Sequence, residues 1–296
     1  MIEVHGTTTV VGLFGYPVRH SCSPEMQNAA FAELGLDWVY VCFEVAPEDL
    51  PRAVASIRAL GLAGVNVTIP HKRAAAGLVD EVDEAAVALD AVNTIVNRDG
   101  RLLGYNTDAP GFIRSLEEAD ATVEGKRVVV FGGGGGARGV AYAVARAGAS
   151  SLTILNRTPS KAAAVAALVN RAVDGYLCVW RPLADEANRG VVEAADVLID
   201  TTDVGMHPHV DADPIVPEAW IQPGQVVVDI TYHPPDTVLL RAARRRGARV
   251  VDGLGMLVHQ GAIAQSLWTG RPAPAATMRR ALEAALRARR RPCNEP

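Results

Sequence analysis

The stretch GVNVTIPHKRAAAG runs from an apolar, β-rich segment into Pro70, His71 and Lys72. Lysine is scarce in this chain: Lys72, Lys126 and Lys161 are the three, among 29 lysine and arginine residues together. Arginine holds its proton too tightly for acid–base work, whereas a lysine pKa moves with its surroundings. Lys72 is therefore a candidate proton donor; the plain alternative is a solvated lysine capping a strand. Other polar residues cluster at the ends of apolar runs. Ser21 and Ser23 follow GYPVRH, Asn66 and Thr68 alternate along one strand face, Asn93 lies in DAVNT, and Asp108 closes GYNTD. Singly, each is ordinary turn or cap chemistry. Together they supply neutral hydrogen-bonding groups, one ammonium and one carboxylate, an inventory that suits a small polyhydroxylated acid.

A second constellation starts where the apolar run RVVVF ends in five glycines, Gly132, Gly133, Gly134, Gly135 and Gly136, followed by ARGVAYAVARAG. Read as G-x-G-x-x-A, it uses Gly132, Gly134 and Ala137. Such a turn lets the backbone approach a pyrophosphate and points helix N–H groups at it. A flexible linker would not join an apolar strand to an alanine-rich helix. At the end of the next strand, about 20 residues on, an NAD-binding domain usually places an acid against the ribose 2′-hydroxyl. This chain has Asn156, Arg157 and Thr158 there, with Lys161 just beyond. An arginine, a hydroxyl and a second cation suit a 2′-phosphate, so the expected cofactor is NADP rather than NAD.

The elements that must position these residues alternate. Strand-like runs (residues 9–15, 38–45, 64–70, 91–97, 127–133, 151–157, 197–202, 226–231 and 249–253) are separated by alanine-rich helical runs. That pattern predicts an α/β fold with parallel sheets covered on both faces. Two domains with a cleft between them fit 296 residues, 49% of them hydrophobic. Asp108-Ala-Pro-Gly111 breaks the pattern before a helix, and Asp252-Gly253 follows the last strand. The expected division is a substrate domain of residues 1–110 with 253–296, its two C-terminal helices packing back, and a Rossmann-type NADP-binding domain of residues 111–252. The net charge of −4 carries no basic surplus for nucleic acid, and Arg244–Arg246 and Arg289–Arg291 are expected to be solvated. No apolar run is long enough to span a bilayer, and the N-terminal stretch lacks a signal-peptide pattern. Four scattered cysteines, Cys22, Cys42, Cys178 and Cys293, imply neither a zinc site nor a disulfide framework and fit a reducing cytoplasm. The H-x-H at His207 and His209 lies in a proline-rich loop and is read as surface, not as a metal site. Oligomeric state is not legible, and a homodimer is left open.

The stretches GYPVRHSCSPEMQN, NVTIPHK, AVNT, GYNTD, FGGGGGAR, NRTPSKA, TTDVGM, DITYHPPDTVLL and DGLGMLVHQGA with WTG follow one another in an order and spacing that resembles the shikimate dehydrogenase family, including its quinate/shikimate branch. The resemblance covers residues from about 9 to about 285. It implies reversible reduction of 3-dehydroshikimate to shikimate with NADPH, in the route to chorismate and the aromatic amino acids. By position, it makes Lys72 the catalytic lysine and Asp108 its acidic partner. Ser21 and Ser23, with Tyr232, match residues that bind the substrate carboxylate. Asn66, Thr68, Asn93 and Gln260 match residues that bind ring hydroxyls or the reacting centre. On the cofactor side it carries over the glycine turn through Ala137, Asn156 to Lys161, and Thr201, Thr202, Ile230, Gly253 and Met256 around the ribose and nicotinamide. Glu84 matches an acidic position near the cofactor.

Two departures stand out. Asp200 replaces the more usual Asn and adds an acid near the cofactor. Asp90 precedes AVNT where the family usually has Gly, so the turn there must accept a side chain in a left-handed conformation. The same chemistry on quinate or aminoshikimate, with NAD or NADP, is the alternative; the Ser21–Ser23 pair, with no threonine, favours shikimate. A non-catalytic NADP-binding regulator is a third reading. It needs the glycine turn but not Lys72 and Asp108. A folate-linked dehydrogenase of similar two-domain plan is a further alternative.

Overall fold

The computed structural model describes residues 3–176, 178–207 and 210–289; Pro208, His209, Cys293 and the end of the arginine tail lie outside them. Contacts divide the chain into one unit of Met1–Thr107 with Val258–Pro296 and a second of Asp108–Leu257.

The first unit is built on β1 (Thr9–Gly15), α1 (Ser23–Glu33), β2 (Trp38–Glu44), α2 (Leu50–Ala59), β3 (Gly64–Val67), α3 (Lys72–Ala76), β4 (Glu81–Val82), α4 (Glu84–Leu89), β5 (Thr94–Arg98) and β6 (Arg101–Tyr105). Its six strands lie in the order β2-β1-β3-β5-β6-β4. The sheet is mixed, not parallel throughout as the alternation of elements predicts. β1 runs parallel to β2 and β3, but β5 is antiparallel to both β3 and β6. The β5–β6 reversal comes from the dipeptide Asp99-Gly100 between them. Both residues have positive φ, 52° and 89°, as a two-residue hairpin of right-handed twist requires. The strand expected over 64–70 ends at Val67, and β4 and β6 were not anticipated. Lys72 does not cap a strand; it opens the five-residue helix α3. Asp90 ends α4 in the left-handed region, at φ 51° and ψ 44°, and its carboxylate is taken by the Arg73 guanidinium at 2.7 Å.

The second unit contains α5 (Asp108–Glu118), β7 (Arg127–Phe131), α6 (Gly135–Arg146), β8 (Ser151–Asn156), α7 (Pro159–Ala172), β9 (Cys178–Pro182), α8 (Asn188–Ala194), β10 (Val197–Asp200), β11 (Val226–Asp229), α9 (Val238–Arg245) and β12 (Arg249–Val251). Asp108-Ala-Pro-Gly111 does not precede a helix but forms the first turn of α5. Pro110 is tolerated there because the first-turn N–H groups have no intrahelical partner. The strands run in the order β12-β11-β10-β7-β8-β9, and every pairing is parallel. The strand sequence reverses direction between β7 and β10, which makes the carboxyl ends of these two strands the switch point of a doubly wound sheet. Val128, Val129, Val130 and Phe131 are buried in succession because helices cover both faces. α6 buries Ala137, Val140, Ala141 and Val144, and α7 buries Ala162, Val165, Ala166 and Val169; both sets follow the i, i+3, i+4, i+7 stripe of a core-facing helix.

α10 (Leu254–Thr269) contains the boundary between the units, and α11 (Ala275–Arg289) belongs to the first. In the first unit α11 packs on α1, and the Trp268 indole N–H of α10 donates to the Ile95 carbonyl of β5 at 3.0 Å. Arg244 and Arg245 are exposed, as expected, and pair with Asp236 and Glu218 at the surface, while the half-buried Arg246 donates to the Ile221 carbonyl. Among the described residues no helix is long and apolar enough to cross a membrane.

Candidate functional site

In the first unit a chain of polar side chains links β2, β3, β5 and the segment after β6. Tyr40 is 1% exposed, and its hydroxyl donates to Asn66 Oδ1 at 2.9 Å and is also hydrogen-bonded with Ser23. Burial pushes the Tyr40 pKa well up, so the phenol stays neutral. The Asn66 amide donates to Thr94 Oγ1 at 2.9 Å and to the Asn93 carbonyl. Asn93 in turn donates to Thr107 Oγ1 at 2.9 Å, while its Oδ1 accepts from the Thr107 backbone N–H at 2.8 Å. These groups are buried and hydrogen-bonded, as groups removed from water must be.

The structure thus joins Ser23, Asn66 and Asn93, which the sequence proposes as ligand-binding, through Tyr40, Thr94 and Thr107, which it did not single out. Thr94 and Thr107 lie inside the motifs AVNT and GYNTD, so the sequence carries their signal. Tyr40 sits in an apolar run and reads as core until its partner is known. Ser21 is half-buried, and its Oγ accepts from the Ser23 backbone N–H at 3.1 Å, at the start of α1. Thr68, also half-buried, follows β3; its N–H donates to the Phe14 carbonyl, fixing the turn that leads to Lys72. His71, to which the sequence assigns no role, is buried with Nε2 2.8 Å from the Val45 carbonyl. The Lys72 carbonyl accepts from Val92 N–H at 2.8 Å, which ties the start of α3 to the residue before Asn93. Lys72 itself is half-buried, Gln260 is half-buried on α10, and Glu84 is exposed at the start of α4.

In the second unit the glycine run forms a turn from β7 into α6 at the switch point. Gly132 has φ 122°, a region L side chains rarely adopt, and a Cβ there would lie 2.2 Å from Thr201 Oγ1. That hydroxyl donates to the Phe131 carbonyl at 2.6 Å, closing the loop after β10 onto the end of β7. A Cβ on Gly136 would meet the Ile230 side chain at 2.9 Å, and one on Gly253 the Ile230 carbonyl at 2.3 Å. Thr201, Ile230, Gly253 and the glycine turn are therefore packed together. Gly134 and Gly135 differ from the rest: nothing lies within 4 Å of a Cβ on either, and both are exposed. They leave an open cradle over the amino end of α6, whose first N–H groups lack intrahelical partners. Thr202 is half-buried and donates its N–H to Asp200.

At the end of β8 Asn156 donates to the Thr158 carbonyl at 2.9 Å, and Arg157, Thr158 and Lys161 are exposed. The chemistry of this set, helix N–H groups and two cations with no carboxylate at the β8 end, fits a pyrophosphate and a further phosphate. Asp108 opens α5, Tyr232 is half-buried after β11, and Met256 is half-buried in the first turn of α10. Asp200 does not present its acid at the surface: it is 0% exposed at the end of β10.

A doubly wound parallel sheet that opens a helix on a glycine turn at its switch point is a dinucleotide-binding domain, here combined with a mixed α/β unit that carries a polar chain at its strand ends. Residues 13–95 match the shikimate dehydrogenase substrate binding domain, and residues 253–283 the shikimate 5'-dehydrogenase C-terminal domain. The shikimate dehydrogenase (NADP(+)) of Moorella thermoacetica is 51% identical over 97% of this chain and 96% of its own length. That of Methanothermobacter thermautotrophicus is 47% identical over 96% of this chain and 99% of its own. A crystal structure of shikimate 5-dehydrogenase from Listeria monocytogenes, in complex with shikimate and NAD, superposes with a TM-score of 0.90 at 34% identity, covering 95% of this chain and 98% of that one. The chain belongs to the shikimate dehydrogenase family.

Proposed function

We propose that this protein catalyses the reversible, NADP-dependent reduction of 3-dehydroshikimate to shikimate, the first unit taking the substrate and the second the dinucleotide. Near-full-length likeness to the NADP-dependent members of its family carries this reading. NADPH supplies the hydride when bound. The Lys72 ammonium stabilises the charge that develops on the ketone oxygen and delivers a proton to it. Asp108 is the acidic partner in this assignment. Ser21 and Ser23, with Tyr232, take the carboxylate; Asn66, Thr68, Asn93 and Gln260 take the ring hydroxyls. The Asn66–Asn93 chain is already hydrogen-bonded internally, so its side chains are held in place before a ligand arrives, which lowers the entropy cost of binding.

Arg157, Thr158 and Lys161 favour NADP because they offer a 2′-phosphate two cations and a hydroxyl and present no acid to repel it. A cytoplasmic location belongs to the same reading and fits the free state of Cys22, Cys42 and Cys178. So does a homodimer, which sedimentation velocity tests. The decisive experiment is a rate matrix of shikimate and quinate oxidation, each with NADP and NAD. The expected result is the highest kcat/KM for shikimate with NADP. A higher value for quinate with NAD would move the protein to the quinate branch. Tight NADPH binding without turnover on any cyclohexene or cyclohexane acid would make it a regulator.

A further inference from the structure

Asp200 and Asp229 are the last residues of β10 and β11 and face one another in register on adjacent parallel strands. Registered neighbours project to the same face of a sheet, so the two carboxyls lie side by side. Both are 0% exposed. Asp229 is fully partnered: Oδ1 accepts from the Thr231 N–H at 2.8 Å, and Oδ2 from the Thr237 hydroxyl at 2.7 Å. Asp200 is half partnered. Its Oδ1 accepts from the Thr202 N–H at 2.8 Å, whereas Oδ2 is buried with no hydrogen-bond partner. Two adjacent buried carboxylates cannot both stay ionised without large cost, and a proton on the second oxygen of Asp200 removes that conflict.

We propose that Asp200 and Asp229 share a single proton, and that this proton sets the position of the loops after β10 and β11, making Asp200 a positioning residue for the cofactor. The inference rests on the dinucleotide role proposed for the second unit. The two loops are coupled through Asp200 itself, whose carbonyl accepts from Ile230 N–H at 3.1 Å while its side chain holds Thr202. They are also the loops whose Thr201 and Ile230 pack against Gly132 and Gly136 of the glycine turn. Loss of the shared proton places two anions at the root of both loops and drives them apart.

The surroundings offer no compensation. β11 presents Asp229, and the loop after β10 adds the negative Asp203. The start of α9 presents the neutral Thr237 to Asp229, and β7 presents the apolar Phe131 in register with Asp200. Among the described residues, no lysine or arginine contributes to the shift of either carboxyl. Burial first, and the neighbouring Asp229 second, lift Asp200 to about 7 against the opposing hydrogen bonds from Thr202; burial also raises Asp229.

The test compares NADP dissociation constants of the wild type and Asp200→Asn from pH 6 to pH 9 by fluorescence titration. The asparagine copies the protonated carboxyl without titrating. If the cofactor complex raises the pKa of the pair by about one unit, the wild type loses about tenfold in affinity as pH rises above neutrality. Asp200→Asn holds its affinity, apart from the ligand's own titration, which is common to both proteins. Superimposable profiles overturn the proposal. Infrared difference spectra of the ligand-free wild type, between pH 6 and pH 9, guard against a variant that does not fold. They must show the carbonyl stretch of a protonated carboxyl at the acid end, and its absence also overturns the proposal. A wild type that binds no NADP at any pH sinks the dinucleotide reading and the positioning role with it, but leaves that infrared band in place, so the two failures are distinguishable.

Discussion

Gly134→Ala separates the proposed cofactor role of the glycine turn from its structural role. Gly134 caps α6 with φ −89° and ψ −164°, extended backbone that alanine adopts freely. No heavy atom lies within 4 Å of the added methyl. Alanine is a poorer helix cap than glycine by several tenths of a kcal/mol, but it restricts the unfolded chain by about 0.4–1 kcal/mol, so the fold changes little. The methyl instead occupies the open cradle over the helix N–H groups. A phosphate oxygen kept out of hydrogen-bonding distance there loses one or two charge-assisted bonds, each about 1.5–3 kcal/mol. The expected result is a melting temperature near the wild-type value and a loss of NADP affinity of roughly 10- to 20,000-fold, read by titration. Gly132→Ala is the control with the opposite signature. Its Cβ falls 2.2 Å from Thr201 Oγ1 at a φ of 122°. Backbone strain of about 1–3 kcal/mol and the loss of the Thr201 hydrogen bond, about 1 kcal/mol, lower stability by roughly 2–4 kcal/mol. Wild-type NADP affinity in a well-folded Gly134→Ala protein would refute the placement of the pyrophosphate. Equal melting of the two variants would refute the packing of the loop after β10 on the turn.

Lys72→Ala is expected to leave the circular-dichroism spectrum intact and to lower kcat by about 100- to 10,000-fold, the range for a lost general acid; a near-normal kcat in a steady-state NADPH assay removes Lys72 from the chemistry. Arg157→Ser is expected to raise KM for NADP by about tenfold or more and to leave KM for NAD within about threefold, and equal changes for both cofactors would show that Arg157 does not read the 2′-phosphate. The buried carboxyl pair makes stability fall as pH rises from acid to neutral. A carboxyl raised from 3.8 to about 7 binds a proton in the folded chain that the unfolded chain has released, so stability declines from about pH 4 to about pH 7 and then levels. The full shift corresponds to about 4 kcal/mol as an upper figure, so Asp200→Asn is expected to be more stable than the wild type at pH 8 and to differ less at pH 5 in urea unfolding; a constant difference across pH removes the titration as its cause.

The parts of the fold that periodicity makes visible were legible in the sequence. β7, α6, β8 and α7 each carry a buried run or stripe long enough to declare its type, and the five glycines fix the turn between the first two. What escaped was short or decided by two residues. β4 and α3 are too brief for a period to show. The antiparallel pair β5–β6 depends on Asp99-Gly100, a hairpin signal that the surrounding strand–helix alternation concealed. The polar chain of the first unit was half legible. Asn66 and Asn93 are conspicuous in apolar strands, but their hydrogen bonds run through Tyr40, Thr94 and Thr107, and only pairing in space reveals these. Asp200 was visible as an odd acid at a strand end. Its burial follows from β10 lying between β7 and β11, which is topology rather than local pattern.

The two units manage buried polarity in opposite ways, and the contrast bears on what each can do. In the first, Tyr40, Asn66, Thr94, Asn93 and Thr107 are all neutral, and each finds partners among the others. Such a network carries no charge to titrate, so its geometry is insensitive to pH near neutrality and suits the reading of fixed hydroxyl positions. In the second, Asp200 leaves one oxygen of a buried carboxyl unspent beside another buried carboxyl. A structural hydrogen bond from Thr202 alone could be made by a neutral acceptor without the cost of burying an acid. The ionisable group therefore makes the ends of β10 and β11 the place where proton concentration reaches these two loops. An asparagine at position 200 would retain the hydrogen bond and abolish that dependence, which is why the conservative variant, rather than a truncation, separates position from charge.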